Sequence, residues 1–190
     1  MPLYCSRPGG VRIRYEDSGG EGLPAILFSH GFGSGSRLWR HQVAAFRGAF
    51  RCITYDMRGH ALSDSPPTLT GDVLGAAGAY SKDHQVDDMC AVLDACGVRR
   101  AILCGHSMGG YDQLLCYFKY PERVAALVLC STGPGYTKDK VKESDGLMWS
   151  CSASICVVCM VCCGQGFTQR VGTIIVTNNN KQQHCTTRAT

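Results

Sequence analysis

In the stretch Ala101-Ile-Leu-Cys-Gly-His-Ser-Met-Gly-Gly110, Ser107 stands between Gly105 and Gly109, each two residues away. A serine hydroxyl attacks an acyl carbon when a base removes its proton and hydrogen-bond donors meet the negative charge that develops on the substrate oxygen. The chain must also lift that hydroxyl clear of its surroundings. Ala101 to Cys104 is an apolar run short enough for a strand buried on both faces. Tyr111, Leu114, Leu115 and Phe118 follow at helical spacing. A strand that turns sharply into a helix at a serine raises the hydroxyl off the sheet edge, and the glycines fall where side chains would collide as the backbone doubles back. Ser107 is therefore the candidate nucleophile.

The partners are sought among six histidines. His106 adjoins Ser107 in sequence, which points its ring to the wrong side for a base, so a packing or hydrogen-bonding role is expected. His60, Arg58 and Asp56 belong to Asp56-Met-Arg-Gly-His60 and are read as holding the loop after a strand. His41 and His84 lie on helical stretches and are read as solvated. His184 alone follows Ser107, within Lys-Gln-Gln-His-Cys-Thr-Thr. It is kept as a candidate base against the plainer reading of a disordered side chain near the terminus. Asp139 and Asp145 are weaker stand-ins for the acid, since neither directly follows a strand.

The elements that would position these groups alternate. Pro2 to Cys5 and Val11 to Tyr15 read as a hairpin around Pro8-Gly9-Gly10. Leu23 to Phe28 is a buried strand running into Ser29-His-Gly-Phe-Gly33, and Ser34 or Ser36 can cap a helix whose face is Trp39, Val43 and Phe46. Arg51 to Tyr55 is the next strand. A helix begins at Ser81, carries Val86, Met89, Cys90, Leu93 and Cys96 on one side, and stops at Gly97. Tyr120-Pro121 closes the helix after Ser107, and Val124 to Cys130 is a further strand. Alternating strands and helices imply an α/β fold with a mostly parallel sheet and helices on both faces.

Three motifs carry a resemblance: His30-Gly31-Phe32-Gly33, Asp56-Met-Arg-Gly-His-Ala-Leu-Ser63 and Gly105-His-Ser-Met-Gly-Gly110. From about Leu23 to Pro134 the chain resembles the N-terminal half of the α/β-hydrolase superfamily, in the branch holding esterases, lipases, peptidases, C–C hydrolases and epoxide hydrolases. The resemblance implies that the backbone N–H groups of Phe32 and Met108 form the oxyanion hole. It also narrows the reaction, because epoxide hydrolases and haloalkane dehalogenases of the superfamily carry aspartate at the elbow. Serine there leaves hydrolysis of carboxylic esters, thioesters, amides or C–C bonds through an acyl-enzyme. Where this chain has Ala61 the family usually has glycine, which would tighten the loop without touching the chemistry.

The pattern changes near residue 147. Residues 1–146 are read as a partial α/β-hydrolase core, with a cap beginning at Gly133 to Gly146. Residues 147–190 are read as an atypical, poorly ordered tail, cysteine-rich and then polar. The fold class expected is thus an α/β-hydrolase fold lacking its C-terminal strands, and the 190 residues are short beside the roughly 250 usual for one-domain enzymes of this type. The tail is read as foreign to the family, as after altered splicing, a shifted frame or an incomplete gene model. Two functions follow: a serine hydrolase impaired by a missing acid and histidine, or a catalytically inactive hydrolase-like chain with at most a ligand- or partner-binding role. The outer edge of the 124–130 strand is expected to stay open unless residues 171–177 cover it.

Composition excludes other classes. Up to Asp145 there are 16 basic against 15 acidic residues, so no basic stripe argues for nucleic acid. Met148 to Cys163 is shorter than the roughly 20 apolar residues of a membrane span, and membrane attachment is not expected. Thirteen cysteines fall mostly in apolar strand and helix positions, and no secretory leader is seen, so a reducing, cytoplasmic setting is expected. Cys156, Cys159 and Cys162 have an iron–sulfur-like spacing but Gly166 stands where the fourth cysteine would be. No cofactor or metal is expected, and the partner is a small-molecule acyl substrate.

Overall fold

The structure, a computed structural model, describes residues 3–67 and 78–132, and the backbone of residues 157–160, 174–178 and 181–185. Strands β1 (Leu3–Ser6) and β2 (Arg12–Asp17) form the expected hairpin, turned by Pro8–Gly10. Next come β3 (Ala25–Ser29), a 3-10 turn at Ser36–Trp39, helix α1 (Arg40–Phe46) and β4 (Arg51–Tyr55). Helix α2 (Lys82–Ala95), β5 (Ala101–His106), helix α3 (Met108–Lys119) and β6 (Val124–Cys130) complete the alternating part. Strands β7 (Val157–Met160), β8 (Ile174–Asn178) and β9 (Lys181–Cys185) follow.

One seven-stranded sheet has the order β1-β2-β4-β3-β5-β6-β7. Its centre, β4-β3-β5-β6, is parallel, and both edges are antiparallel. All five residues of β3 are buried, as a strand covered on both faces requires. Side chains alternate between two cores, as the period of two along a strand demands. Leu27, Ile53, Tyr55, Leu103 and Leu127 point to the face covered by α2 and α3. Ile26, Phe28, Cys52 and Cys104 point to the other, beneath Trp39 and Val43. The α/β architecture with helices on both faces is therefore present. Helix α2 is capped where expected: Ser81 accepts from the His84 N–H, and the chain leaves the helix through Gly97 at φ 66°.

Three expectations are corrected. No serine side chain caps the turn into α1. Instead the buried Asp56 carboxylate accepts the Ser36 N–H at 2.7 Å, an anion at the positive end of the segment. Helix α3 does not bury the stripe Tyr111, Leu114, Leu115, Phe118. Its buried residues are Gly109, Gly110, Asp112, Gln113 and Cys116, whereas Phe118 is exposed. The helix lies too close to the sheet for large side chains on that side, and its apolar residues pack from the flanks. The edge of β6 is not left to residues 171–177 either: β7 pairs antiparallel with Leu127–Cys130, and β8 pairs with β9 in a separate two-stranded sheet. The expected cap segment and Asp139 and Asp145 lie outside the described residues, as do Cys156 and Cys162 of the cysteine run.

The loop after β4 contains Ala61 at φ 45°, a left-handed conformation that costs a residue with a Cβ about 1–2 kcal/mol. Glycine would relieve this, less the greater freedom it gains when unfolded. Ala61→Gly should thus stabilise the fold by up to about 1 kcal/mol in urea unfolding; a destabilised variant would contradict the assignment of strain there.

Candidate active site

The parallel strands end side by side, β3 with Ser29 opposite Gly105 and β5 with His106 opposite Cys130. Ligands of open α/β sheets bind outside such carboxyl ends. Ser107 is the hinge between β5 and α3, at φ 51° and ψ −118°. That positive φ is sparsely populated by any residue but glycine and persists only where surrounding structure enforces it. Here it is enforced by hydrogen bonds on both sides: the Ser107 N–H donates to the Cys130 carbonyl at 2.9 Å, and the Ser107 carbonyl accepts from the N–H groups of Gly110 and Tyr111.

Sterics close the turn. A Cβ on Gly105 would stand 2.5 Å from Gly110 Cα and 2.6 Å from Gln113 Oε1. One on Gly109 would strike the His30 carbonyl and lie 2.7 Å from the Ser29 carbonyl oxygen. The loop after β3 is equally tight against the serine, since a Cβ on Gly31 would be 3.3 Å from Ser107 Cβ. Gly31 therefore brings the Gly31–Phe32 peptide beside Ser107, and Met108 begins the helix on the other side.

His30 sets the orientation of that peptide. Its ring is fully buried, Nε2 accepts the Met57 N–H at 3.0 Å, and Nδ1 lies 2.8 Å from the Gly31 carbonyl. An amide can only donate and a carbonyl can only accept, so the proton is assigned to Nδ1 of a neutral imidazole. Burial lowers its pKa in agreement. The Gly31 carbonyl is in the same peptide plane as the Phe32 N–H, so the bond to Nδ1 fixes where that N–H points. No partner for the Phe32 N–H is present among the described residues, and the Met108 N–H is a first-turn helix donor without an intrahelical acceptor. Two free donors beside a raised hydroxyl can receive a developing oxyanion. The Phe32 side chain is largely exposed and meets the His60 ring edge-on at 5.7 Å.

The remaining candidates are structural in their contacts. Asp56 accepts from the Ser36 and Leu62 N–H groups. Arg58 holds Asp88 through two bonds of 2.7 and 2.6 Å in the interior, where Arg7 also reaches Asp88. His106 packs against Gly31 with Nδ1 buried and unpartnered among the described residues. His41 and His84 are exposed, His84 also bonding Ser81 and Gly78. His184 is in β9 opposite Ile175. No hydrogen bond to Ser107 Oγ exists among the described residues.

Two residues behind the elbow escaped the apolar pattern. Gln113 Nε2 donates to Ser29 Oγ at 2.9 Å and to the Leu27 carbonyl, and Ser29 Oγ lies 3.1 Å from the Tyr55 hydroxyl. Asp112 is fully buried with Oδ1 2.8 Å from Lys82 Nζ. Their only sequence signal was polarity at positions where a helix this close to a glycine turn must face inward.

The chain matches the family described as alpha/beta hydrolase fold over residues 24–149. It is 34% identical over 146 residues to the bifunctional esterase/perhydrolase of Acinetobacter calcoaceticus, covering 76% of this chain and 49% of that protein. Against epoxide hydrolase 4 of Mus musculus it is 31% identical over 123 residues, covering 65% and 32%. The solved enol-lactonase from Burkholderia xenovorans LB400 superposes with a TM-score of 0.60 at 28% identity, covering 68% of this chain and 46% of that one. The chain thus spans between about a third and a half of the length of the proteins it matches.

Burial raises the Asp112 pKa to about 6, against the opposing pull of Lys82. A carboxyl whose pKa is higher folded than unfolded supports the fold most below its unfolded value of 3.8, and that support is lost as pH rises through about 6. Asp112→Asn does not titrate. Between pH 4 and 7.5 the unfolding free energy of the variant relative to wild type should therefore rise by about 2 kcal/mol; a difference independent of pH would show that Asp112 titrates normally.

Proposed function

The chain belongs to the α/β-hydrolase fold family, and on that premise we propose that it carries the nucleophile and oxyanion hole of a serine hydrolase acting on a carboxylic ester or related acyl compound. The observation that supports this reading is Ser107 at φ 51° on the junction of β5 and α3, with the Phe32 and Met108 amides beside it. In the proposed reaction Ser107 Oγ adds to the acyl carbon as a base takes its proton. The two amides bind the oxyanion, collapse of the tetrahedral adduct expels the alcohol, and water hydrolyses the acyl-enzyme.

The relatives divide by name between ester, lactone and epoxide chemistry. Serine as nucleophile favours the acyl branch, and the esterase and the enol-lactonase are its representatives among the matches. A small-molecule acyl substrate fits a site at the carboxyl ends of the strands. His184, in β9, is kept as the candidate base.

A fluorophosphonate probe should label the chain at Ser107, and Ser107→Ala should abolish labelling. Equal labelling of both proteins would overturn the nucleophile, and no labelling of either would leave the inactive, ligand-binding reading. His184→Ala should label at the wild-type rate. A loss of several orders of magnitude, as removal of a triad member causes, would make His184 the base.

A further inference from the structure

The turn that carries the Phe32 amide has little of the protein around it. Phe32 is 82% exposed, and Gly33 follows at φ 68° with no heavy atom within 4 Å of where a Cβ would stand. The Ser34 N–H closes the turn by donating to the Gly31 carbonyl at 3.3 Å. Surface turns are the mobile part of a fold, so a donor at such a tip keeps one direction only if something beyond the turn holds it.

Three rings supply the hold. The His30 Nδ1–H donates to the Gly31 carbonyl at 2.8 Å. The Phe32 ring meets the His60 ring edge-on, with centroids 5.7 Å apart and planes at 82°. His60 in turn stands 5.2 Å from the buried His30 ring, at 61°. These are separations and angles at which the positive edge of one ring attracts the face of another. The contacts close a circuit that runs from His30 through the Gly31–Phe32 peptide, the Phe32 ring and His60 back to His30. Among the described residues Phe32 meets no other ring.

His60 is fixed independently, by the loop after β4. Its N–H donates to the Met57 carbonyl at 2.9 Å, its carbonyl accepts the Ser63 N–H at 3.1 Å, and Nδ1 lies 3.1 Å from the Arg58 carbonyl. A carbonyl only accepts, so Nδ1 is assigned a proton and the ring is held in its plane. The loop itself is anchored inside, by the Arg58 guanidinium on Asp88 of α2 and by the Met57 N–H on His30. The Tyr80 ring backs Gly59, 2.5 Å from where a Cβ would stand. The exposed Phe32 ring is thus braced on the interior through a single side chain.

We propose that His60 is a positioning residue for the oxyanion donor, bracing the Phe32 ring against His30 so that the Phe32 N–H keeps the direction that His30 sets. This rests on the reading of Phe32 as an oxyanion donor. His60 touches no reacting atom in this role. What it supplies is a ring rather than a proton or a charge, so phenylalanine at position 60 can replace it and alanine cannot.

The test has two readouts on the full chain. Backbone 15N relaxation, with the six phenylalanines labelled, compares the Phe32 amide with that of Phe28 in β3, the two assigned through Phe32→Leu and Phe28→Leu. Wild-type order parameters of about 0.85, those of rigid backbone, are expected at both. In His60→Ala the Phe32 value should fall below about 0.6 with Phe28 unchanged, and in His60→Phe it should return. The second readout resolves the fluorophosphonate reaction into binding and chemistry. His60→Ala should lower the maximal inactivation rate at least about tenfold, part of the hundredfold or more that losing a whole oxyanion donor costs, with the half-saturating reagent concentration unchanged. His60→Phe should restore the rate. A rigid Phe32 amide in folded His60→Ala would overturn the proposal, as would a Phe32 amide equally loose in His60→Phe. Loss of order at Phe28 together with Phe32 would show a residue that merely supports the fold, and overturns it too. Absence of a nuclear Overhauser effect between the His60 and Phe32 ring protons of the wild type does the same, even if the alanine variant misfolds. A wild-type chain that the probe does not label removes the serine-hydrolase reading, and the amide comparison then still decides whether His60 braces Phe32.

Discussion

The arrangement depends on how closely the first turn of α3 approaches the ends of β3 and β5. The positions of Gly105 and Gly109 have no room for a Cβ, because backbone atoms of Gly110, Ser29 and His30 already occupy it. That contact leaves one path for the chain between strand and helix, and the path puts Ser107 at φ 51°. The strain at this residue, of order 1–3 kcal/mol, is offset by the packing around it and by the backbone hydrogen bonds of Ser107 to Cys130, Gly110 and Tyr111.

The same closeness explains the polar interior. Loops leaving the parallel strands carry backbone groups into the core, and these must find partners there. His30 ties the loop after β3 to the Met57 amide, Asp56 ties the loop after β4 to Ser36, and Arg58 anchors that loop to Asp88 on α2. Gln113 reaches through from α3 to the Leu27 carbonyl. Each bond joins segments distant in sequence, and together they hold the His30 loop and the Ser107 turn in one register. An oxyanion site needs that preorganisation, since donors that must reorganise during the reaction stabilise charge poorly.

Much of this was legible in the sequence because the relevant signals are local. The 124–130 strand has the limits read from its apolar run, and Ser81 and Gly97 mark the ends of α2 as capping chemistry predicts. The strand-to-helix turn at Ser107 was legible because flanking glycines are a steric requirement of it. What was missed depends on distant partners. Periodicity assigned Phe118 to the buried side of α3 and overlooked Asp112, because an apolar scale cannot anticipate a lysine 30 residues away. The β7 pairing along Leu127–Cys130 was likewise invisible, the serine- and cysteine-rich run around it having no strand signature. The chain spans between about a third and a half of the length of these relatives, the epoxide hydrolase and the esterase/perhydrolase.

The central claim is that glycine at the elbow holds Ser107 in a reactive conformation. The most direct measurement compares the fluorophosphonate labelling rate of Gly109→Ala with that of Gly48→Ala, a position where a Cβ meets nothing within 4 Å, with circular dichroism reporting that each variant is folded. The account predicts that Gly48→Ala labels like the wild type and that folded Gly109→Ala labels at least about a hundredfold more slowly, the scale of losing an oxyanion donor. A folded Gly109→Ala labelled at the wild-type rate would contradict it.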